Sequence, residues 1–210
     1  MTWIRTQMRP QKICVENPDY PVSSVFTGYD WKLSGGTKQA GIMAAAMILA
    51  GDVDTVIEIG IQYGFTSLIL AKALASNARD GLLVSVDINP NAVARSKKIT
   101  DGLPITHRHI VGDSKLIDYG PYLNGRSVGL SFIDGAHDYE SCAHDIRACH
   151  EITRPWGILV AHDYNAREYD GVYRAVNEHC ARTGDAMFIL DHNRRSQDYR
   201  TAIIQKGERK

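Results

Sequence analysis

Apolar positions change their period repeatedly along this chain, and each change marks an element. Residues 38–50 are rich in Ala, Met and Ile and predict a helix stopped near Gly51, after a turn over Ser34-Gly-Gly-Thr37. Val56, Ile57 and Ile59 form the near-continuous β-branched run of a strand covered on both faces, and after Ser67 the spacing turns helical. Leu82–Val86 predicts a second buried strand, 91–101 a helix, and Ile105–Val111 a third strand. Ser127–Ile133 predicts a fourth strand, Tyr139–Ile152 a helix, and Trp156–Ala161 a fifth strand. Val172, Ala175, Val176 and His179 share one period of a last helix, which two strands follow at 186–190 and 199–205. Strands alternating with helices predict an α/β domain with a mainly parallel sheet, and the last two strands, with no helix between them, predict an antiparallel pair.

Residues 1–33 show no period, and Pro10, Pro18 and Pro21 break any regular element there. Trp3, Tyr20, Phe26, Tyr29 and Trp31 make this an aromatic arm whose role is open between a lid on a substrate pocket, a homodimer contact and a cover for an apolar sheet edge. The rest reads as one domain, 34–206, with a charged, frayed tail at 207–210. Lys and Arg total 24, as do Asp and Glu, so the net charge of zero gives no field for holding nucleic acid or an anionic membrane. No apolar run approaches the roughly 20 residues of a membrane span, and no leader is evident, so a soluble, cytoplasmic protein is expected. The four cysteines, Cys14, Cys142, Cys149 and Cys180, have no Cys-x-x-Cys spacing; Cys142 and Cys149 share a predicted helix face and read as small buried residues.

Candidate chemistry begins at the turn after the first strand, Glu58-Ile-Gly60-Ile-Gln-Tyr-Gly64. Gly60 and Gly64 allow close approach of backbone to a ligand, and the next helix points its free N–H groups at the same place. A dinucleotide fingerprint needs Gly-x-Gly-x-x-Gly, whereas this loop lacks the third glycine and carries an acid ahead of it. Glu58 disfavours a polyanion and suits a ligand with positive charge. Asp87, 23 residues after Gly64 at the end of the adjacent strand, is placed to accept both hydroxyls of a ribose; the other reading is a turn or helix-cap aspartate before Asn89-Pro90.

The Glu-x-Gly-x-x-x-Gly form resembles the first motif of the class I S-adenosylmethionine (SAM)-dependent methyltransferases. The resemblance implies a Rossmann-like, mainly parallel seven-stranded sheet with a terminal antiparallel strand and helices on both faces. It also implies that Asp113 and Ser114, after the third strand, lie beside the adenine, and that Gly36, Thr37 and Gln39 are weak candidates for cofactor contact. His107 and His109, two apart on that strand, read as half-exposed edge residues rather than a metal pair.

The fourth and fifth strands deliver a second constellation. Asp134-Gly-Ala-His137-Asp-Tyr-Glu follows one and His162-Asp163-Tyr164 the other, so Asp134, His137, His162 and Asp163 converge. The run Phe-Ile-Asp-Gly-Ala-His-Asp-Tyr-Glu with Gly-Ile-Leu-Val-Ala-His-Asp-Tyr resembles the branch that includes macrocin-type sugar O-methyltransferases and cephalosporin-hydroxylase-like proteins, and more distantly catechol O-methyltransferases. Carried over by position, Asp134, His162 and Asp163 become ligands of a divalent ion, and Asp134 is counted with the cofactor set as well. That branch usually offers a carboxylate or amide where His162 stands. Oxygen ligands suit Mg²⁺; an imidazole shifts preference toward Mn²⁺, Fe²⁺, Co²⁺ or Zn²⁺, or makes His162 a base at a metal-free site. His137 stands where the catechol-type enzymes carry a lysine base, and a histidine can take that role.

The expected function is SAM-dependent methyl transfer to a hydroxyl of a small molecule, sugar or phenol-like, with a divalent metal such as Mg²⁺ or Mn²⁺ as an open question. Two rivals are a non-catalytic SAM- or nucleoside-binding accessory protein and, further off, an NAD(P)-linked oxidoreductase. Arg194 and Arg195 are candidates for an anionic substrate, against a solvated turn.

Overall fold

A computed structural model describes residues 35–77, 80–165, 167–191 and 200–208. The aromatic arm, Cys14, Arg194 and Arg195 lie outside the described residues. The elements follow in the order α1 (Gly35–Ala50), β1 (Thr55–Ile59), α2 (Phe65–Asn77), β2 (Leu82–Asp87), α3 (Pro90–Ile99) and β3 (Thr106–Val111). A 3₁₀ turn at Ser114–Leu116 leads to α4 (Gly120–Leu123), β4 (Val128–Ile133), α5 (Tyr139–Ile152), β5 (Thr153–Ala161), α6 (Asp170–Thr183), β6 (Ala186–Asp191) and β7 (Arg200–Gln205). The short α4 was not legible in the apolar pattern, because four residues carry no period.

The seven strands form one sheet in the order β3-β2-β1-β4-β5-β7-β6. β1 to β5 pair in parallel, and β7 is antiparallel to both β5 and β6. The chain's last strand is thus the antiparallel one, inserted between its two parallel neighbours. The order reverses beside β1, so its carboxyl end and that of β4 flank the crevice where an open α/β sheet takes ligands.

Side-chain alternation assigns the two faces. Val56, Leu83, Leu130, Phe132 and Val160 pack with α1 and α2 on one side; Ile57, Val84, Leu159 and Ala161 pack with α5 and α6 on the other. Full burial of β1, β2 up to Val86, and β4 explains why these strands read as continuous apolar runs. β5 starts three residues earlier than its apolar pattern suggests. Its pairing with β4 slips between Val128↔Thr153 and Leu130↔Ile158, and the intervening Trp156 takes a left-handed φ of 64°. Pro155, with no N–H to give a ladder, lies in that bulge. Cys142 and Cys149 fall on the buried face of α5, as their spacing predicts. Among the described residues no helix is long and apolar enough to cross a membrane.

Candidate active site

The turn after β1 needs its glycines for two separate reasons. Gly60 has φ +87°, and a Cβ there would stand 2.0 Å from the carbonyl oxygen of Asp134. The turn is therefore pressed against the end of β4. Gly64 has φ +80°, and its Cβ would meet Ile99 Cδ1 at 2.9 Å and the Ser96 Cα at 3.1 Å, so this glycine lets α3 pack on the turn. Gly60 N–H donates to Val86 O at 2.9 Å and Asp134 N–H to Ile59 O at 2.8 Å, which carries the ladder of β2, β1 and β4 up to the crevice.

Glu58 shares the face of Val56 and is fully buried. Its Oε2 accepts hydrogen bonds from Ser67 of α2 at 2.7 Å and Ser85 of β2 at 2.6 Å. Burial pushes its pKa up to about 7, partly offset by the Ser85 and Ser67 hydroxyls. Such a carboxyl braces β1, α2 and β2 beneath the turn, and at neutral pH carries only part of the charge on which the argument for a cationic ligand relied. Nothing in the sequence pattern had singled out Ser67 or Ser85; a hydroxyl on an otherwise apolar buried face is the signal.

Asp87 grips the turn from the side. Its Oδ2 accepts from Ile61 N–H at 2.8 Å and Gln62 N–H at 3.1 Å, and its Oδ1 from Asn89 N–H at 2.8 Å. The helix-cap role belongs instead to Asn89, whose side chain accepts from Asn91 N–H. Asp113 accepts from Lys115 N–H at 3.0 Å, capping the 3₁₀ turn, and lies 3.9 Å from Lys115 Nζ. The neighbouring Ser114 hydrogen-bonds Asp145 of α5. His107 and His109 stack with centroids 3.6 Å apart. Both His107 nitrogens face hydroxyls, Ser85 Oγ and Thr100 Oγ1 each at 2.9 Å, so the pair holds β3 to its neighbours rather than offering a metal site.

The second constellation forms a chain of alternating charge. His162 Nδ1 lies 3.2 Å from Asp134 Oδ1 and 3.1 Å from Asp163 Oδ1, and Asp163 Oδ2 lies 3.2 Å from His137 Nε2. Asp163 adopts φ 56°, a left-handed conformation that lets one carboxylate face both imidazoles. Burial alone would lower the His162 pKa; the flanking Asp134 and Asp163 outweigh it and raise it to about 10. Burial would raise Asp163, but the two imidazoles hold it well below the usual carboxylate range. His137 is raised, first by Asp163. A cationic ring this deeply enclosed is no base at neutral pH; His137, raised as well, is half-exposed and is the ring left as the candidate. Two neighbours of His137 had no signature in the sequence: Tyr169, whose ring centroid is 4.3 Å away, and Gly171, whose Cβ would meet the His137 carbonyl at 2.3 Å.

One ligand atom each from Asp134, His162 and Asp163 falls within 4.8 Å of the others, a donor set of two carboxylates and one imidazole that fits a divalent ion when the ion takes the place of the His162 Nδ1 proton. Asp134 belongs at once to this cluster and, through its carbonyl on Gly60, to the glycine turn. The crevice over the turn and the acid–imidazole cluster therefore share a wall.

A family model described as a methyltransferase domain matches residues 57–164, which is 108 of the 210 residues. The chain belongs to that methyltransferase family. No curated protein sequence matches it. Among solved structures it is similar to the O-methyltransferase TomG from Streptomyces achromogenes, involved in tomaymycin synthesis and solved with SAM (TM-score 0.64, 18% identity, 83% of this chain and 82% of that one). It is similar also to an O-methyltransferase from Bacillus cereus in complex with SAH (0.60, 15%, 80% and 81%). The N-methyltransferase NodS from Bradyrhizobium japonicum shares the fold equally (0.59, 16%, 82% and 97%). At these identities the likeness fixes the Rossmann-like methyltransferase fold, and with it the resemblance first seen at Glu58–Gly64; oxygen and nitrogen acceptors are both found on that fold.

Proposed function

We propose that this methyltransferase uses SAM and transfers its methyl to a hydroxyl of a small molecule. The observation that carries this reading is the shared wall: the Asp134 carbonyl abuts Gly60 while the Asp134 side chain enters the acid–imidazole cluster. SAM supplies an activated methyl on a sulfonium. It lies over the turn whose shape Gly60 and Gly64 set by letting β4 and α3 pack close, Asp87 receives its ribose hydroxyls, and Asp113 and Ser114 border its adenine. Glu58 acts from below, holding the turn's shape through Ser67 and Ser85.

On the acceptor side, Asp134 and Asp163 provide hydrogen-bond acceptors that orient an incoming hydroxyl. His137 turns Nε2 toward Asp163, which fixes the ring and supports the imidazolium that forms. Nδ1 is then the nitrogen that takes the hydroxyl proton. Tyr169 lies against the ring and limits its rotation. Asp134, His162 and Asp163 would hold a divalent ion, Mg²⁺ or Mn²⁺, which would lower the pKa of a bound hydroxyl. The hydroxyl acceptor is favoured over an amine by this donor set, because a hydroxyl needs its proton removed as it attacks.

Calorimetric titration with SAM, repeated with Mg²⁺, Mn²⁺ and chelator, tests the reading. Binding is expected in wild type and weakened about tenfold or more in Asp87→Ala, where a charge-assisted pair of hydrogen bonds is lost. No SAM binding under any condition would sink the proposal. SAM binding with no transfer to any hydroxyl compound, and unchanged behaviour of His137→Ala, would return the accessory-protein reading.

A further inference from the structure

The amino-terminal end of the sheet, away from the crevice, gathers a second set of ligating side chains. His150 stands in the last turn of α5, His179 on the buried face of α6, and Asp185 between α6 and β6. Asp185 Oδ2 lies 2.9 Å from His150 Nε2 and 3.5 Å from His179 Nε2, and the two imidazoles meet edge to face with centroids 4.7 Å apart. The carboxylate is oriented from behind, since Asp185 Oδ1 accepts the Gly207 N–H at 2.9 Å. The end of α5 is fixed too: Lys206 Nζ donates to the carbonyls of His150 and Thr153, each at 2.6 Å.

The His179 contact is not an ordinary hydrogen bond. His179 is 4% exposed, yet its Nε2 points at Asp185 Oδ2 without hydrogen-bonding geometry. Two polar atoms that converge at 3.5 Å without bonding geometry are costly unless something between them is shared. Separations of 2.9 and 3.5 Å bracket the about 3.3 Å between two ligands of a tetrahedral ion with bonds near 2.0 Å. One ligand atom from each of the three residues lies within 4.8 Å of the others.

We propose that His150, His179 and Asp185 bind a divalent ion of the zinc type through Nε2, Nε2 and Oδ2, with solvent at a fourth position, clipping α5 and α6 to the start of β6. Two imidazoles exclude Mg²⁺ as the natural occupant and favour Zn²⁺ or Co²⁺. Gly207 N–H plays the outer partner that orients a ligating carboxylate. Binding at Nε2 puts the His179 ring proton on Nδ1, so the exposed Arg182, now 3.4 Å from Nδ1, turns out to solvent. The site is distinct from the Asp134 cluster, since His150 precedes the first residue of β5 and His162 follows the last.

The test is zinc titration of the chelator-stripped, full-length protein by calorimetry, in wild type, His162→Gln, His150→Gln and Asp185→Asn. His162→Gln should keep one zinc equivalent whose loading raises the melting temperature, while His150→Gln and Asp185→Asn should weaken that binding by about 100-fold or more, since losing a ligand costs at least as much as losing its outer partner. No zinc bound by wild type, equal binding in all variants, or loss of all binding in His162→Gln would overturn the proposal. Should a variant fail to fold, histidine NMR of wild type with Zn²⁺ decides: displaced ring resonances of both His150 and His179 support the site, and unmoved ones refute it.

Discussion

The crevice and the opposite end of the sheet each pair two histidines with aspartate, and their buried rings are shifted in opposite directions. His162 and His179 are equally enclosed, each 4% exposed. Yet His162 rises to about 10, and His179 falls to about 4. Burial pushes both rings down. At the crevice two carboxylates, Asp134 and Asp163, stand within 3.2 Å of His162 Nδ1 and overcome it; at the far end one carboxylate is shared by two rings, the nearer being His150. The ratio of carboxylates to imidazoles, not depth, decides which ring is a cation. The buried ring at the crevice is thereby a cation between two carboxylates, and the buried ring at the far end is neutral.

The largest expected break in this comparison is Gly60→Ala. A Cβ 2.0 Å from the Asp134 carbonyl, on a φ of +87°, must displace the crevice wall. We expect a loss on the order of 3 kcal/mol or more in denaturant unfolding and loss of SAM binding in whatever folds. Zinc binding at His150 and His179 should survive in the folded fraction, and its loss would show that the two ends are not independent.

Asp163→Asn comes next, because that carboxylate serves both crevice imidazoles. Turnover should fall by about 100-fold, the usual loss for a disturbed base. Asp163 is also the chief cause of the raised His137 pKa, so its neutralisation should carry the acid limb of the pH–rate profile to lower pH. A limb that stays in place would remove His137 as the base.

The opposite pKa shifts predict opposite pH limbs of stability in chelator-treated protein. His162 has a folded pKa near 10 against an ordinary 6.5, so its contribution is fully present below 6.5 and is lost as pH rises through 10. For His179, depressed from 6.5 to about 4, the contribution is present above 6.5 and lost as pH falls through 4. Each limb should amount to a few kcal/mol at most. Urea midpoints from pH 4 to 10 should show His162→Gln flattening the alkaline limb and His179→Gln the acid one; the same limb flattened by both would contradict the comparison.

The smallest change is Ser85→Ala, which touches neither cluster but removes one of the two hydroxyls on buried Glu58. It should cost about 1–2 kcal/mol in unfolding free energy and leave both metal titrations unaltered. An effect on acceptor turnover larger than on SAM affinity would mean that Glu58 reaches further than the turn.

The sequence by itself determined the sheet, the turn and the cast of the crevice. Strands covered on both faces must be apolar at every position, so β1, β2 and β4 were legible as runs, and residues at their carboxyl ends are brought together by parallel topology whatever the details. Asp87, Asp134, His137, His162 and Asp163 all belong to that class. Only the tertiary structure decided what depends on side-chain parity and on contacts distant in sequence. Glu58, one residue out of phase with Ile57 and Ile59, turns to α2 and meets Ser67 and Ser85, so it braces the turn from within. His179 already shared the apolar period of α6 and was readable as buried, but its companions His150 and Asp185 come from the end of α5 and the next loop. No local pattern announces such a meeting, because the distance that matters is set by how two helices pack on the sheet, and packing is written in the whole core rather than in any one stretch.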